Sequence, residues 1–143
     1  MIVKKIVHLG AGLAVLFAAS LATASAPDWK LVIEGKSGTL VHVDVASVRV
    51  RENRLTAWVR YSFAAEQTSA TGKSFMSAMQ LQVFDCKSEQ RGIASTADYS
   101  GREGTGEVVQ TEATGISKAS MSYLPAGSVG QSTMEFVCAH APK

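Results

Sequence analysis

The stretch that decides the fold is YLPAGSVGQSTMEFVC, residues 123–138. Pro125 and Gly127 end any preceding strand, because proline lacks a backbone donor and glycine favours turns. Ser128 is a good N-cap, and Gln131 stands three residues later, as in a capping box. The stretch therefore predicts a strand, a sharp stop and a short C-terminal helix that begins near Ser128.

The predicted helix has one apolar side. Steps of about 100° per residue place on one broad arc Val129, Thr133, Met134, Phe136, Val137 and Cys138. The opposite arc carries Gln131, Ser132 and Glu135. An amphipathic helix must bury its apolar side, so we expect it to pack on a sheet, mainly through Phe136 and Val137.

Upstream of the helix the dominant sequence period is two, which is typical of half-buried strands. The clearest alternation lies in residues 55–63, where Leu55 and Val59 share one face and Trp58 lies on the other. Further strands are predicted over residues 40–45, 47–51, 75–86, 91–99, 107–111 and 118–124. A tight turn at Asn53 joins two of them as a hairpin. The pattern predicts an α+β fold, mainly an antiparallel meander of five to eight strands with one C-terminal helix.

The N-terminus resembles an export signal. Lys4 and Lys5 precede an apolar run over residues 9–19, and small residues offer cleavage after Ala24 or Ala26. Pro27 would fit a protease site poorly after Ala26, so we favour a signal of residues 1–24 and a mature domain of 25–143. The apolar run is shorter than the roughly 20 residues that span a bilayer, so we expect no transmembrane anchor after cleavage.

Removal of that signal also brings the net charge of the chain to zero. The full sequence has 14 Lys and Arg against 12 Asp and Glu, and without Lys4 and Lys5 the count is 12 against 12. Nucleic-acid binding needs a concentrated basic face. The composition therefore argues against a nucleic-acid partner.

The two cysteines, Cys86 and Cys138, are expected to form a disulfide, because export leads to an oxidising compartment. The alternative is a two-Cys, two-His zinc site with His42 and His140, although the spacing matches no common zinc pattern. We expect neither a metal nor a cofactor.

The sequence contains no nucleophile elbow and no His-Glu-x-x-His motif, and a disulfide leaves no cysteine nucleophile. We therefore expect a binding protein rather than an enzyme. The candidate contacts are Arg49, Arg51 and Arg60, which share the outer face of neighbouring strands, either as a patch for an acidic partner or as an ordinary solvated face. The polar loops over residues 66–74 and 100–106 are further places for recognition, whereas Trp29 and Trp58 are expected to pack the sheet.

Several short motifs together resemble the surface-adhesin protein E family of Gram-negative bacteria. They are Trp29, Val41-His-Val-Asp44 followed by Ser47, the strand around Trp58, Phe84-Asp-Cys86, and Pro125-x-Gly-Ser128-x-Gly-Gln ending in Val137-Cys138. Their order extends over nearly the whole mature region. The resemblance implies a sheet of about six antiparallel strands whose concave face holds a C-terminal helix through a disulfide.

The resemblance also implies a function. The family suggests an exported envelope protein, periplasmic, surface-bound or secreted, that binds a protein partner such as a host extracellular-matrix or serum protein. The alternative is a soluble periplasmic accessory or inhibitor protein that shares only the fold.

The signal can be tested on the exported protein. We predict that its N-terminal residue is Ser25, because small residues stand at the positions that the protease reads before this bond. Mass spectrometry of the intact protein from an expressing Gram-negative host measures this. A mature chain starting at Pro27 would contradict the prediction.

Overall fold

The computed structural model describes residues 24–143, so residues 1–23 of the predicted signal lie outside the described residues. The described chain forms eight β-strands and one α-helix, together with 3-10 turns at Val45–Ser47 and Arg102–Gly104. The strands and helix are β1 Trp29–Glu34, β2 Leu40–Asp44, β3 Arg49–Arg51, β4 Arg54–Thr68, β5 Ser74–Asp85, β6 Gln90–Tyr99, β7 Val108–Ala113, β8 Ser122–Tyr123 and α1 Val129–Ala139. Over residues 24–143 no helix is both long enough and apolar enough to cross a membrane.

The strands form one antiparallel sheet in the order β1-β2-β4-β5-β6-β7. The short strands β3 and β8 pair with β4 and β6, beside the main path. Every pairing is antiparallel, and most neighbours in the sheet are also neighbours in the chain. The predicted meander of about six strands is confirmed, with two short additions.

The hairpin between β3 and β4 turns at Glu52 and Asn53, both with positive φ angles, 50° and 62°. Arg51 pairs directly with Arg54 across this two-residue loop. Left-handed backbone at both central residues is the type I′ geometry, whose twist matches that of the flanking strands. The turn predicted from Asn53 is therefore confirmed.

Some predicted boundaries were wrong. The strand expected over residues 47–51 begins only at Arg49, because the Asp44 carboxylate accepts a hydrogen bond from the Ala46 N–H at 3.1 Å and caps a 3-10 turn. The loop expected over residues 66–74 is shorter, since β4 continues to Thr68. Of the strand expected over residues 118–124, only Ser122–Tyr123 is paired.

The start of α1 is as predicted. The Ser128 hydroxyl accepts a hydrogen bond from the Gln131 N–H at 3.1 Å. The Gln131 side chain accepts in turn from the Gly127 N–H at 2.6 Å, one residue before the N-cap, so the capping box is displaced by one position. Both contacts satisfy donors that a helix start leaves free.

The helix packs on one face of the sheet, here called the inner face. Met134 and Val137 are buried there against Val41, Val43 and Val59. These contacts form the main hydrophobic core of the domain.

The expected role of Phe136 was only partly right. Phe136 is half-buried at the side of the helix and stacks on His140, with ring centroids 4.2 Å apart. Met134 and Val137 lie nearly one turn apart and point to the sheet, whereas Phe136 is rotated by about 100° from Val137. Met134 therefore fills the central position.

Cys86 and Cys138 are bonded, with Cα atoms 6.0 Å apart, so the predicted disulfide is confirmed. It joins the β5–β6 turn to the last turn of α1. The Asp85 carboxylate shapes that turn by accepting hydrogen bonds from the Ser88 and Lys87 N–H groups, and the bond from Ser88 contributes most to a lowered pKa of Asp85. The alternative zinc site was wrong, because both sulfurs are used in the disulfide.

The helix contact generates a stability prediction. Met134→Ala should lower the free energy of unfolding by about 2–5 kcal/mol, because it leaves a cavity under α1. Glu135→Ala, on the exposed side, should change it by less than about 0.5 kcal/mol. Urea unfolding followed by circular dichroism measures both, and equal small effects would mean that α1 is not docked through Met134.

Candidate functional site

The face of the sheet opposite α1 is here called the outer face. Trp58 and Arg60 point to it because they alternate with Val59, which is buried under the helix. The strand register places Arg60 opposite both His42 on β2 and Met79 on β5. Side chains from three strands therefore meet on the outer face.

One end of the outer face is closed by the turn between β6 and β7. The Ser77 hydroxyl donates to the Gly101 carbonyl at 2.6 Å and accepts from the Gly104 N–H at 2.9 Å. The Glu103 N–H donates to the Ser62 hydroxyl at 3.3 Å. The loop over residues 100–106, expected to be free for recognition, is instead hydrogen-bonded to the sheet.

The other end is covered by the segment between β7 and β8. Ala119, with Ile116 and Met121, packs on Val83 in a second, smaller core. At Gly92 a Cβ atom would lie 2.8 Å from the Met121 sulfur and 3.0 Å from the Ser120 carbonyl oxygen, so a larger residue would push this segment away from the sheet. The open part of the outer face is thus confined to its middle.

An aromatic groove occupies this middle part. Its cavity of about 590 Å³ is lined on the sheet by Arg49, Trp29, Trp58, Met79, Ala97 and Tyr99. Trp58 is 36% exposed, whereas Trp29 and Tyr99 are half-buried. The sequence favoured a packing role for both tryptophans, and alternation alone did not reveal that they border one groove.

Arg60 lies on the outer face beside Trp29, and its side chain is mostly buried. Its guanidinium carbon lies 4.5 Å from the centre of the Trp29 ring, a cation–π contact. Its Nη2 atom lies 4.0 Å from the Glu103 carboxylate, and the Arg60 side chain is only 12% exposed. Glu103 has a left-handed φ of 58°, a conformation that non-glycine residues adopt rarely. Arg60 therefore positions Trp29 and is poorly placed to contact a partner directly.

Arg49 and Arg51 are exposed on β3, opposite Thr56 and Arg54 respectively. Arg49 donates to the carbonyl of Val48 at 2.8 Å. Within residues 24–143 neither arginine forms an ion pair with a carboxylate. Of the three predicted contact residues, Arg49 and Arg51 are therefore exposed at the sheet edge, whereas Arg60 is enclosed.

His42 lies beside Arg60 on the outer face. Burial lowers the pKa of the His42 imidazole, the neighbouring Arg60 charge lowers it further, and Glu103 opposes both effects. His42 Nδ1 and Arg60 Nε are both buried without a hydrogen-bond partner. Folding therefore favours the neutral imidazole of His42 more than the unfolded chain does.

The inner face carries another cavity, of about 430 Å³, beside the start of α1. Tyr61, Gln80 and Arg91 line it together with Leu124 and Val129.

No group of three metal-ligating side chains converges anywhere in residues 24–143.

The charges around His42 generate a titration prediction. Glu103→Gln should lower the pKa of His42 further, because it removes the carboxylate that raises it. NMR titration of the imidazole measures this, with Glu112→Gln as a control that should leave His42 unchanged. An unchanged His42 titration in Glu103→Gln would contradict the arrangement.

The lowered pKa of His42 makes the free energy of unfolding depend on pH. The folded state disfavours the charged imidazole, so His42 should lower stability as the pH falls below its ordinary pKa of 6.5. This loss should continue until the pH reaches the lower pKa of the folded state.

Comparison with known structures supports the fold. The chain is similar to crystal form II of Haemophilus influenzae protein E, with a TM-score of 0.59 and 14% identity over 85% of this chain and 100% of that one. A second H. influenzae protein E structure gives a TM-score of 0.55 at 14% identity, covering 81% and 92%. A third, from a non-typeable strain, gives 0.53 at 14% identity, covering 82% and 83%.

The family assignment comes from sequence. A search of curated protein sequences found no significant match. A family model described as surface-adhesin protein E matches residues 29–139, which extends from the start of β1 to the last residue of α1. The matched segment contains both cysteines of the disulfide and the residues of the aromatic groove on the sheet. The chain therefore belongs to the surface-adhesin protein E family.

Proposed function

We propose that this domain is a non-catalytic, exported binding module that holds a protein partner on its outer face, as an adhesin does. The partner class is a host extracellular-matrix or serum protein. The observation that carries the proposal is the open groove of aromatic side chains beside Arg49, on the face that the helix leaves uncovered.

The composition of this face supports binding rather than catalysis. Tryptophan, tyrosine and arginine are enriched in the residues that dominate binding energy at interfaces. Tryptophan and tyrosine offer large apolar areas with few rotatable bonds. A proposed catalytic role would need a nucleophile beside a base, and His42 makes no hydrogen bond through Nδ1 to such a group.

The two open arginines supply the electrostatic part of the proposal. Arg49 and Arg51 stand on one face of an edge strand, where a partner can approach them without displacing another element. Exposed charges at the rim of an interface mainly accelerate association and make it depend on salt. We therefore propose an acidic surface on the partner.

The proposed site of action is the cell exterior, since matrix and serum proteins are found only there. Fractionation of cells that express the natural chain, followed by immunoblotting, distinguishes the adhesin from a periplasmic accessory protein. Protein found only in the periplasm, and captured with a periplasmic partner, would replace the adhesin proposal with the accessory one.

The arginine contribution can be tested separately. Arg49→Gln with Arg51→Gln should weaken binding to immobilised acidic matrix or serum proteins severalfold and reduce its salt dependence, because two rim charges are lost. Biolayer interferometry at low and high salt measures this. The thermal midpoint should hardly change, since both side chains are exposed.

A matched control removes the same charge elsewhere. Lys36→Gln with Lys118→Gln changes two exposed lysines outside the β3–β4 hairpin and should leave binding nearly unchanged. If both double variants weaken binding equally, net charge rather than this edge strand attracts the partner.

A further inference from the structure

We infer that the aromatic groove binds an extended, acidic segment of a partner protein that inserts an apolar anchor side chain between Trp58 and Tyr99. This inference rests on the proposed function and adds to it the site and the chemistry of the bound segment. Four features of the groove support it.

The first feature is an apolar floor that is open to solvent. Trp58 projects from the middle of the sheet and is 36% exposed. Met79 and Ala97, paired across β5 and β6, extend the apolar surface beside it, and Tyr99 borders it further along β6. Such a surface favours an apolar side chain, because the removal of apolar surface from water is favourable.

The second feature is that the groove is held in place before binding. The Arg60 guanidinium carbon lies 4.5 Å from the centre of the Trp29 ring and holds this ring in place. The Ser47 hydroxyl accepts a hydrogen bond from the Trp58 N–H at 2.9 Å, which ties the wall formed by the 3-10 turn to the floor. A preformed site loses less conformational entropy on binding than a flexible one.

The third feature is the sign of the available charge. Arg49 lines the groove, and Arg51 and Arg54 follow it along the same face of the β3–β4 hairpin. Among the described residues Asp44 is the one acidic residue in the lining, and its carboxylate already accepts hydrogen bonds from the Asp28 and Ala46 N–H groups at 2.7 and 3.1 Å. The charge left for a ligand is therefore positive, which favours an acidic segment.

The fourth feature is shape. The β6–β7 turn and the segment between β7 and β8 cover the two ends of the outer face, and the cavity of about 590 Å³ between them has room for side chains of an extended segment. Ser25 and Pro27, which the predicted mature domain keeps, line the groove without forming a helix or strand. A chain in irregular conformation thus already lies against these aromatic residues.

Tryptophan fluorescence tests the inference directly, because the chain has two tryptophans and both line the groove. The probe is a short synthetic peptide of glutamates with two phenylalanines, compared with the same peptide carrying glutamine in place of glutamate. We expect the acidic peptide to shift the emission saturably and the glutamine peptide to bind at least several-fold more weakly.

Three variants test whether the acidic peptide binds in the groove. Trp58→Ala, followed through Trp29, should weaken binding of the acidic peptide at least about tenfold, as loss of a central aromatic contact does. Arg49→Gln should weaken it several-fold and reduce its salt dependence, and this exposed residue can change without unfolding the domain. Tyr123→Ala removes an exposed aromatic residue outside the groove and should have no effect.

Other outcomes would overturn the inference. Equal affinity for the two peptides would exclude the acidic preference, and unchanged binding by Trp58→Ala would exclude the groove. An emission shift that follows protein concentration alone would identify a second copy of this chain as the occupant. If matrix or serum proteins bind through Arg49 and Arg51 while no peptide alters the emission, this inference fails and the proposed function stands.

Discussion

The rest of the structure depends on the attachment of α1 to the inner face of the sheet. The Cys86–Cys138 disulfide closes a loop with a sequence separation of 52. In the chain-entropy model a loop of this length contributes about 4 kcal/mol, a large share of the roughly 5–15 kcal/mol that stabilises a whole domain. Burial of Met134 and Val137 at the same interface adds the hydrophobic contribution. Together they leave the domain with one covered face and one available face.

The open area of the outer face is reduced by the β6–β7 turn and by the segment between β7 and β8, rather than by further strands. Ser62 and Ser77 bind the turn over residues 100–106 at one end, and Ala119 packs over Val83 at the other. Both interactions use outer-face positions of β4 and β5 that would otherwise be solvated. What stays open is the aromatic groove, whose position follows from where these two coverings end.

Arg60 supports the aromatic groove through its contacts with Trp29 and Glu103, although its own side chain is poorly placed to contact a ligand. It stacks on Trp29 and pairs with Glu103, so it links strand β1 to the β6–β7 turn across β4. Burial lowers the pKa of the His42 imidazole, and the same arginine charge lowers it further. The arginine residues predicted together from alternation therefore have different roles, with Arg49 and Arg51 open and Arg60 enclosed.

The sequence by itself determined the features that depend on short spans, which are the strand alternation, the Glu52-Asn53 turn and the helix start at Ser128. It also determined the cysteine pairing across 52 positions, because an exported chain with two cysteines offers each of them a single partner. It did not determine which tryptophan is exposed, that Met134 rather than Phe136 is central to the helix contact, or that the loop over residues 100–106 is bound to the sheet. Those features depend on contacts between residues far apart in the chain, such as Arg60 and Glu103, separated by 43 positions. Only the tertiary structure decided them, because alternation assigns a residue to a face but the strand order and register decide which side chains meet there.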